Sequence, residues 1–231
     1  MGNGQADSLQ SLDRRANATR GLLLVYLGLS TLFLLMNCAI LYYELTSPYG
    51  LIYALAFDSW QVNLLKFLIP LSAVAMILFT LLVIIAMMFW VYRAWANLRD
   101  MGLESLNYTP GWAVGSFFVP FINLVTPFRA MRELANRSAG EDVWQILSPV
   151  PDVSSWWSCF IAAMFLRGLL GYVALVDSMP YMRFVAPRGV NTGMVILSSI
   201  LMIAASVFLF RIITAVTASQ KSNSHVSQTF V

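Results

Sequence analysis

The sequence predicts an all-α membrane protein with four transmembrane helices, a re-entrant or interfacial segment, and an amphipathic surface helix. Three observations predict it. Charged residues are only 11% of the 231 residues and hydrophobic residues 59%. A soluble domain carries about 25% charged residues, so the bilayer must be the main solvent. Second, uncharged runs such as Gly21–Tyr43 (23 residues) and Phe67–Tyr92 (26 residues) reach membrane length. Third, the basic residues fall unevenly between successive loops, which sets an orientation.

The elements follow in chain order. Residues 1–20 are polar, hold Arg14, Arg15 and Arg20, and read as a cytoplasmic N-terminus. A single membrane domain, 21–218, follows, with crossings at about 21–44, 65–94, 155–177 and 192–214. About 20 apolar residues span the ~30 Å hydrocarbon core, and the first run meets that length without a cleavage site after it. Pro70 is expected near the start of the second helix, where proline is tolerated. That helix should continue past the membrane to about Leu98. Trp156 and Trp157 open the third crossing as interface anchors. The fourth lies between Arg188 and Arg211, which bracket 22 uncharged residues. Residues 219–231 are rich in Ser, Gln and Asn and are expected to be a disordered cytoplasmic tail.

The apolar stretch 111–125 is too short for a span and is broken by Pro120 and Asn123, so a re-entrant or interfacial path suits it better. Gly111 and Gly115 would permit close backbone approach. Thr126-Pro127 reads as an N-cap followed by proline at the first helical position. The surface helix then covers 127–139. Arg129, Glu133 and Arg137 stand at i, i+4 spacing, two potential ion-pair steps. Phe128, Met131 and Ala135 form its apolar stripe, and Gly140 is its stop.

With four crossings both termini share a side. That side receives ten basic residues: Arg14, Arg15, Arg20, Arg93, Arg99, Arg129, Arg132, Arg137, Arg211 and Lys221. The other receives three, Lys66, Arg183 and Arg188. The positive-inside rule therefore makes both termini cytoplasmic. The net charge of +3 fits basic loops beside anionic lipid. Membrane lipids are the expected partners, with a protein partner or homo-oligomer possible and no nucleic acid.

Arg167 is the most unusual residue, because a charge near the bilayer midplane must face a polar interior. Asn37, Ser72, Thr80 or Asn123 could partner it. Two readings stay open: an anion, lipid or pathway site, or a structural arginine tied to the broken segment. Trp90, Arg93 and Asn97 share a face where the second helix leaves the membrane. With Arg129 and Arg132 they could form a headgroup pocket, since the guanidinium fork suits phosphate. Ordinary interface anchoring is the other reading. Asn37 and Asn123 suit interhelical hydrogen bonds, or contact with a ligand.

Catalytic signatures are missing: H-E-x-x-H, G-x-S-x-G and Gly-rich phosphate loops do not occur. Glu141 and Asp142 are adjacent in a loop and read as solvated. Cys38 and Cys159 lie in apolar runs without metal-ligand spacing, and His225 sits in the polar tail. No enzyme activity, metal or cofactor is expected.

The residues Trp90, Tyr92, Arg93, Ala94, Asn97 and Leu98 open a motif. Pro110, Trp112, Ala113, Val114, Gly115, Phe118, Pro120, Asn123, Leu124, Pro127, Met131, Glu133 and Leu134 continue it. This string resembles a family of bacterial multi-pass membrane proteins catalogued as domain of unknown function 4328. Ala135 departs from the family's tendency toward an aromatic there. The resemblance implies a bacterial inner-membrane location and gives weight to residues 90–138, including Trp112. It implies no activity. The expected function is a non-enzymatic binding or regulatory module that contacts lipid headgroups or a partner protein. The alternative is a small-solute or ion transporter or channel component with a polar pathway around Arg167.

Overall fold

Backbone inside a bilayer has no water to bond, so long uncharged runs must close their hydrogen bonds internally as helices. The structure, a computed structural model, describes residues 2–46, 60–103, 105–141, 148–179 and 186–229. All regular structure among these residues is helical. In chain order the helices are α1 Gly2–Thr46, α2 Trp60–Asp100, α3 Pro110–Gly115, α4 Thr126–Ser138, α5 Pro151–Asp177 and α6 Val190–Thr229. A 3-10 turn, Ile122–Leu124, lies between α3 and α4. Four helices contain stretches long and apolar enough to cross a membrane: Ala6–Thr46, Lys66–Asp100, Pro151–Asp177 and Val190–Asn223. The expected number and order of spans is thus met. Arg183 and Asp142 lie outside the described residues, as does the side chain of His225.

Several ends differ from expectation. The polar N-terminus is not a separate segment but the first part of α1, ordered by burial of Leu12 and Ala16. Because α2 starts at Trp60, Pro70 lies inside the helix rather than in its first turn. The nearby Ser72 Oγ donates to the Ile69 carbonyl at 2.7 Å, the kind of local bond that lets a membrane helix carry a proline. Helix α6 continues through Ser219 to Thr229, against the disorder expected there. Polar composition suggested disorder, but Leu209, Ile212, Ile213, Val216, Thr217 and Gln220 form one buried helical stripe.

The segment 111–125 is not one helix. Short α3, turns at 116–121 and the 3-10 turn share it. Gly111 and Gly115 face open space, so no close backbone approach requires them. The N-cap of α4 is Val125, and Thr126 is already helical, so its hydroxyl does not cap. The side-chain cap occurs one helix earlier, where Thr109 Oγ1 accepts from the Trp112 amide at 3.1 Å and Pro110 follows. Nor does α4 lie free on a surface. Pro127, Ala130, Met131, Leu134 and Ser138 are buried, with Glu133, Asn136 and Arg137.

The chain divides into two compact units: residues 1–24, 81–157 and 206–231, and residues 25–80 and 158–205. In the second unit several described polar side chains bond within their own helix. Thr31 donates to the Leu27 carbonyl, Asn37 to Phe33, Thr80 to Met76, and Ser198 and Ser199 to Val195. Such back-bonding satisfies a hydroxyl or amide without a partner helix. Between helices, Thr192 Oγ1 donates to Glu44 Oε2 at 2.9 Å. Gly189 has φ +78 and a Cβ there would meet Leu41 at 2.7 Å. Only glycine fits this turn before α6.

The first unit holds a dense core. Trp90, Val91, Ala94, Trp95 and Leu98 of α2 are buried, as are Ala130, Met131 and Leu134 of α4. Val153, Trp156 and Trp157 of α5 and Ile212, Ile213 and Val216 of α6 are buried too. Both tryptophans pack inward rather than standing as free interface anchors. Trp157 Nε1 donates to the Leu124 carbonyl at 3.1 Å, and Phe117 meets its ring edge-on.

Candidate functional site: a basic platform at residues 105–138

The platform starts from a buried polar hub in the first unit. Gln220 is fully buried. Its Nε2 donates to the Ala94 carbonyl at 3.1 Å and to Ser138 Oγ at 2.9 Å. Its Oε1 accepts from Asn97 Nδ2 at 3.4 Å. Trp90 Nε1 donates to Thr217 Oγ1 at 3.2 Å, and Asn223 Nδ2 to the Ser138 carbonyl at 3.0 Å. Helices α2, α4 and α6 are thereby joined through side-chain amides. Each such buried bond contributes about 1 kcal/mol net, and leaving a buried partner unmade costs about 1–3 kcal/mol.

Two of the expected pocket residues join this hub, Asn97 through its Nδ2 alone, since its Oδ1 is buried with no bond among the described residues. Trp90 and Asn97 serve the packing of α2 on α6. Arg93 turns elsewhere: its Nε donates to the Ser8 carbonyl at 3.3 Å and its Nη2 meets Asp100 Oδ2 at 3.4 Å. It joins α1 to α2. The expected pocket of Trp90, Arg93 and Asn97 with Arg129 and Arg132 is therefore not held together by any bond among the described residues.

Glu133 is also redirected. Instead of pairing with Arg129 and Arg137, its nearly buried carboxylate accepts from the Asn107 amide at 2.8 Å and from Asn107 Nδ2 at 3.1 Å. This pair of hydrogen bonds pins the loop after α2 onto α4. Bonds to a charged acceptor are worth about 1.5–3 kcal/mol. Arg137 Nη1 donates to the Glu141 carbonyl at 3.0 Å and closes the end of α4.

Pinning that loop delivers Tyr108 to the arginines. Its ring meets Trp95 edge-on at 5.9 Å. Burial raises the Tyr108 pKa above its ordinary value of 10.0, and the Glu133 charge adds to this, while Arg129 and Arg132 oppose it. The hydroxyl is thus a neutral donor within the field of both guanidiniums. Arg129 is exposed. Arg132 lies half-buried over the Phe128 ring at 5.3 Å and makes no hydrogen bond or ion pair among the described residues. A guanidinium with unused N–H groups beside a phenol hydroxyl can receive a phosphate or carboxylate oxygen.

The remaining candidates stand apart. Trp112 is exposed on α3. Asn123 is half-buried in the 3-10 turn, and no bond of its side chain is found among the described residues. In the second unit, Arg167 is half-buried on α5 and makes no hydrogen bond or ion pair among the described residues. Three of its expected partners, Asn37, Ser72 and Thr80, bond to carbonyls of their own helices. No three His, Cys, Asp or Glu side chains among the described residues gather to hold a metal ion.

Tyr108, Asn107 and Gln220 were not singled out by sequence. Gln220 was readable, because it continues the i, i+3, i+4 stripe of α6. The Thr109 cap was readable too, since Thr109-Pro110 repeats the signature used at Thr126-Pro127. The Glu133–Asn107 contact joins residues 26 apart in sequence, across α3 and the 3-10 turn, and had no sequence signal.

No curated protein and no solved structure matches the chain. A family model described as a domain of unknown function (DUF4328) matches residues 54–218, well over half of the length. That range contains α3, α4 and the whole basic platform, and the chain belongs to this DUF4328 family.

Proposed function

We propose that this chain is a non-enzymatic module of a cell membrane that binds anionic lipid headgroups at Arg129 and Arg132, with Tyr108 as a neutral donor. The observation that carries the reading is the pair of an exposed Arg129 and a half-buried Arg132, neither bonded to a protein acceptor among the described residues, on a helix fixed to a packed core. A rigid platform presents its donors without an ordering cost on binding. The excess of basic residues in residues 1–20, 93–137 and 211–221 supports a cytoplasmic face for this platform, where anionic lipid is attractive to arginine. A bacterial inner membrane is the setting that suits this reading.

Each arginine near an anionic surface contributes about 1 kcal/mol, so the pair accounts for about 2 kcal/mol, roughly 30-fold. Energy transfer from the protein to fluorescent anionic lipid, against fluorescent zwitterionic lipid, measures that preference in proteoliposomes. The double variant Arg129→Ala/Arg132→Ala should lose most of it. An unchanged preference would remove the site.

Arg167 supports a second reading, a polar pathway for a small solute or ion. An arginine on an apolar span costs at least about 2.5 kcal/mol, and this one makes no bond among the described residues. Solute flux into liposomes, abolished by Arg167→Leu with the helical content intact, is the expected outcome of that reading. Equal flux in protein-free vesicles would end it.

A further inference from the structure

The turn that precedes α4 is built at a strain to push an aromatic side chain outward. Phe121 has φ 66 and ψ −40. The Ile122 amide donates to the Pro120 carbonyl at 2.8 Å. These are the marks of a γ-turn of the positive-φ form, which is rare and strained. A bulky residue at positive φ is an outlier where glycine would sit without strain. Yet the side chain makes no packing return: Phe121 is 86% exposed.

Its neighbours share that exposure. Phe118 is 69% exposed, and Leu124 and Val125 are exposed as well. The 3-10 turn is nonetheless fixed from behind, because the Leu124 carbonyl accepts from Trp157 Nε1. The result is an apolar tip on a held backbone.

We propose that the tip formed by Phe118, Phe121 and Leu124 is an interfacial wedge, inserted in the boundary between lipid headgroups and acyl chains. The inference rests on the headgroup reading, since it takes the same bilayer surface as partner. Charge argues for lipid over protein. Residues 105–138 contain Arg129, Arg132 and Arg137 against one acid, Glu133, and that acid is buried on Asn107. An apolar tip followed by outward-facing arginine is the pattern of an element lying in a membrane interface. Continuity argues the same way. The first unit also exposes Leu81, Leu82, Ile85, Phe89 and Val207 on helices of membrane length. The same bilayer would cover them and the tip.

The test uses the full chain in vesicles. Cys38 and Cys159, the free cysteines among the described residues, are replaced by serine, and a nitroxide is attached through Phe121→Cys. Accessibility to oxygen and to a water-soluble nickel chelate is compared with a label at the exposed Asn17. Oxygen should dominate at 121, at a depth of about 5–10 Å, in both zwitterionic and anionic vesicles. Phe121→Gly keeps the positive φ and removes the ring. It should raise nickel access to a label at Phe118→Cys several-fold. Nickel access at 121 equal to that at 17 would overturn the wedge. So would exclusion of both probes with an immobilised spectrum, which means a protein covers the tip. Arg129→Ala/Arg132→Ala should leave the depth at 121 unchanged, so the headgroup site and the wedge can fail separately.

Discussion

At the scale of residues, the side chains that looked most functional are spent on structure. Trp90, Asn97 and Arg93 each bond to another helix. Their identity was legible in the sequence, but their role depends on which face meets which neighbour, and that is a tertiary fact. Tyr108 shows the reverse. Nothing local marks it, and it matters because Glu133 pins the loop beside it. Its raised pKa carries a pH consequence. The folded state holds the phenol proton more tightly than the unfolded chain, so any stability linked to it is complete below about pH 10 and is lost as pH rises through the folded value. Arg129 and Arg132 lower that value, so Arg132→Ala should make Tyr108 titrate later still. The ring-carbon shifts of labelled tyrosine, assigned with Tyr108→Phe, report this. A Tyr108 that titrates earlier in Arg132→Ala would contradict the arrangement.

At the scale of elements, the four spans were legible because length and lack of charge suffice in a bilayer. Their ends were not. The first turns of α1 and the last turns of α6 are polar, and each is ordered by a stripe that packs in the first unit. Ion pairs add to this end: Lys221 meets Asp13 and Arg211 meets Asp152. Such exposed pairs contribute about 0–1 kcal/mol each, so the order of α6 beyond Ser219 rests mainly on Gln220, with Asn223 bonded to the Ser138 carbonyl beyond it. Gln220→Leu removes three bonds and leaves Asn97 Nδ2 and Ser138 Oγ without this partner, at about 1–3 kcal/mol for each buried group left unmade. Thermal unfolding in detergent should fall accordingly, and protease should then cut near Ser219. Full stability in that variant would mean the hub is incidental.

At the scale of the whole molecule, the division of charge is the widest claim. Ten basic residues are assigned to the side of both termini and three to the other. An impermeant thiol reagent should label Ser222→Cys, in a background without other cysteines, only after spheroplasts are opened. Labelling of closed spheroplasts would invert the topology. Headgroup binding belongs to this scale too, because the platform acts only if it faces anionic lipid. Native mass spectrometry of the full chain released from nanodiscs addresses it most directly, by counting anionic lipids retained per protein. Headgroup binding at the platform predicts retention by the wild type and by Arg93→Ala, and its loss in Arg129→Ala/Arg132→Ala. Loss in Arg93→Ala with retention in the double variant would contradict it and return the site to the face of α2.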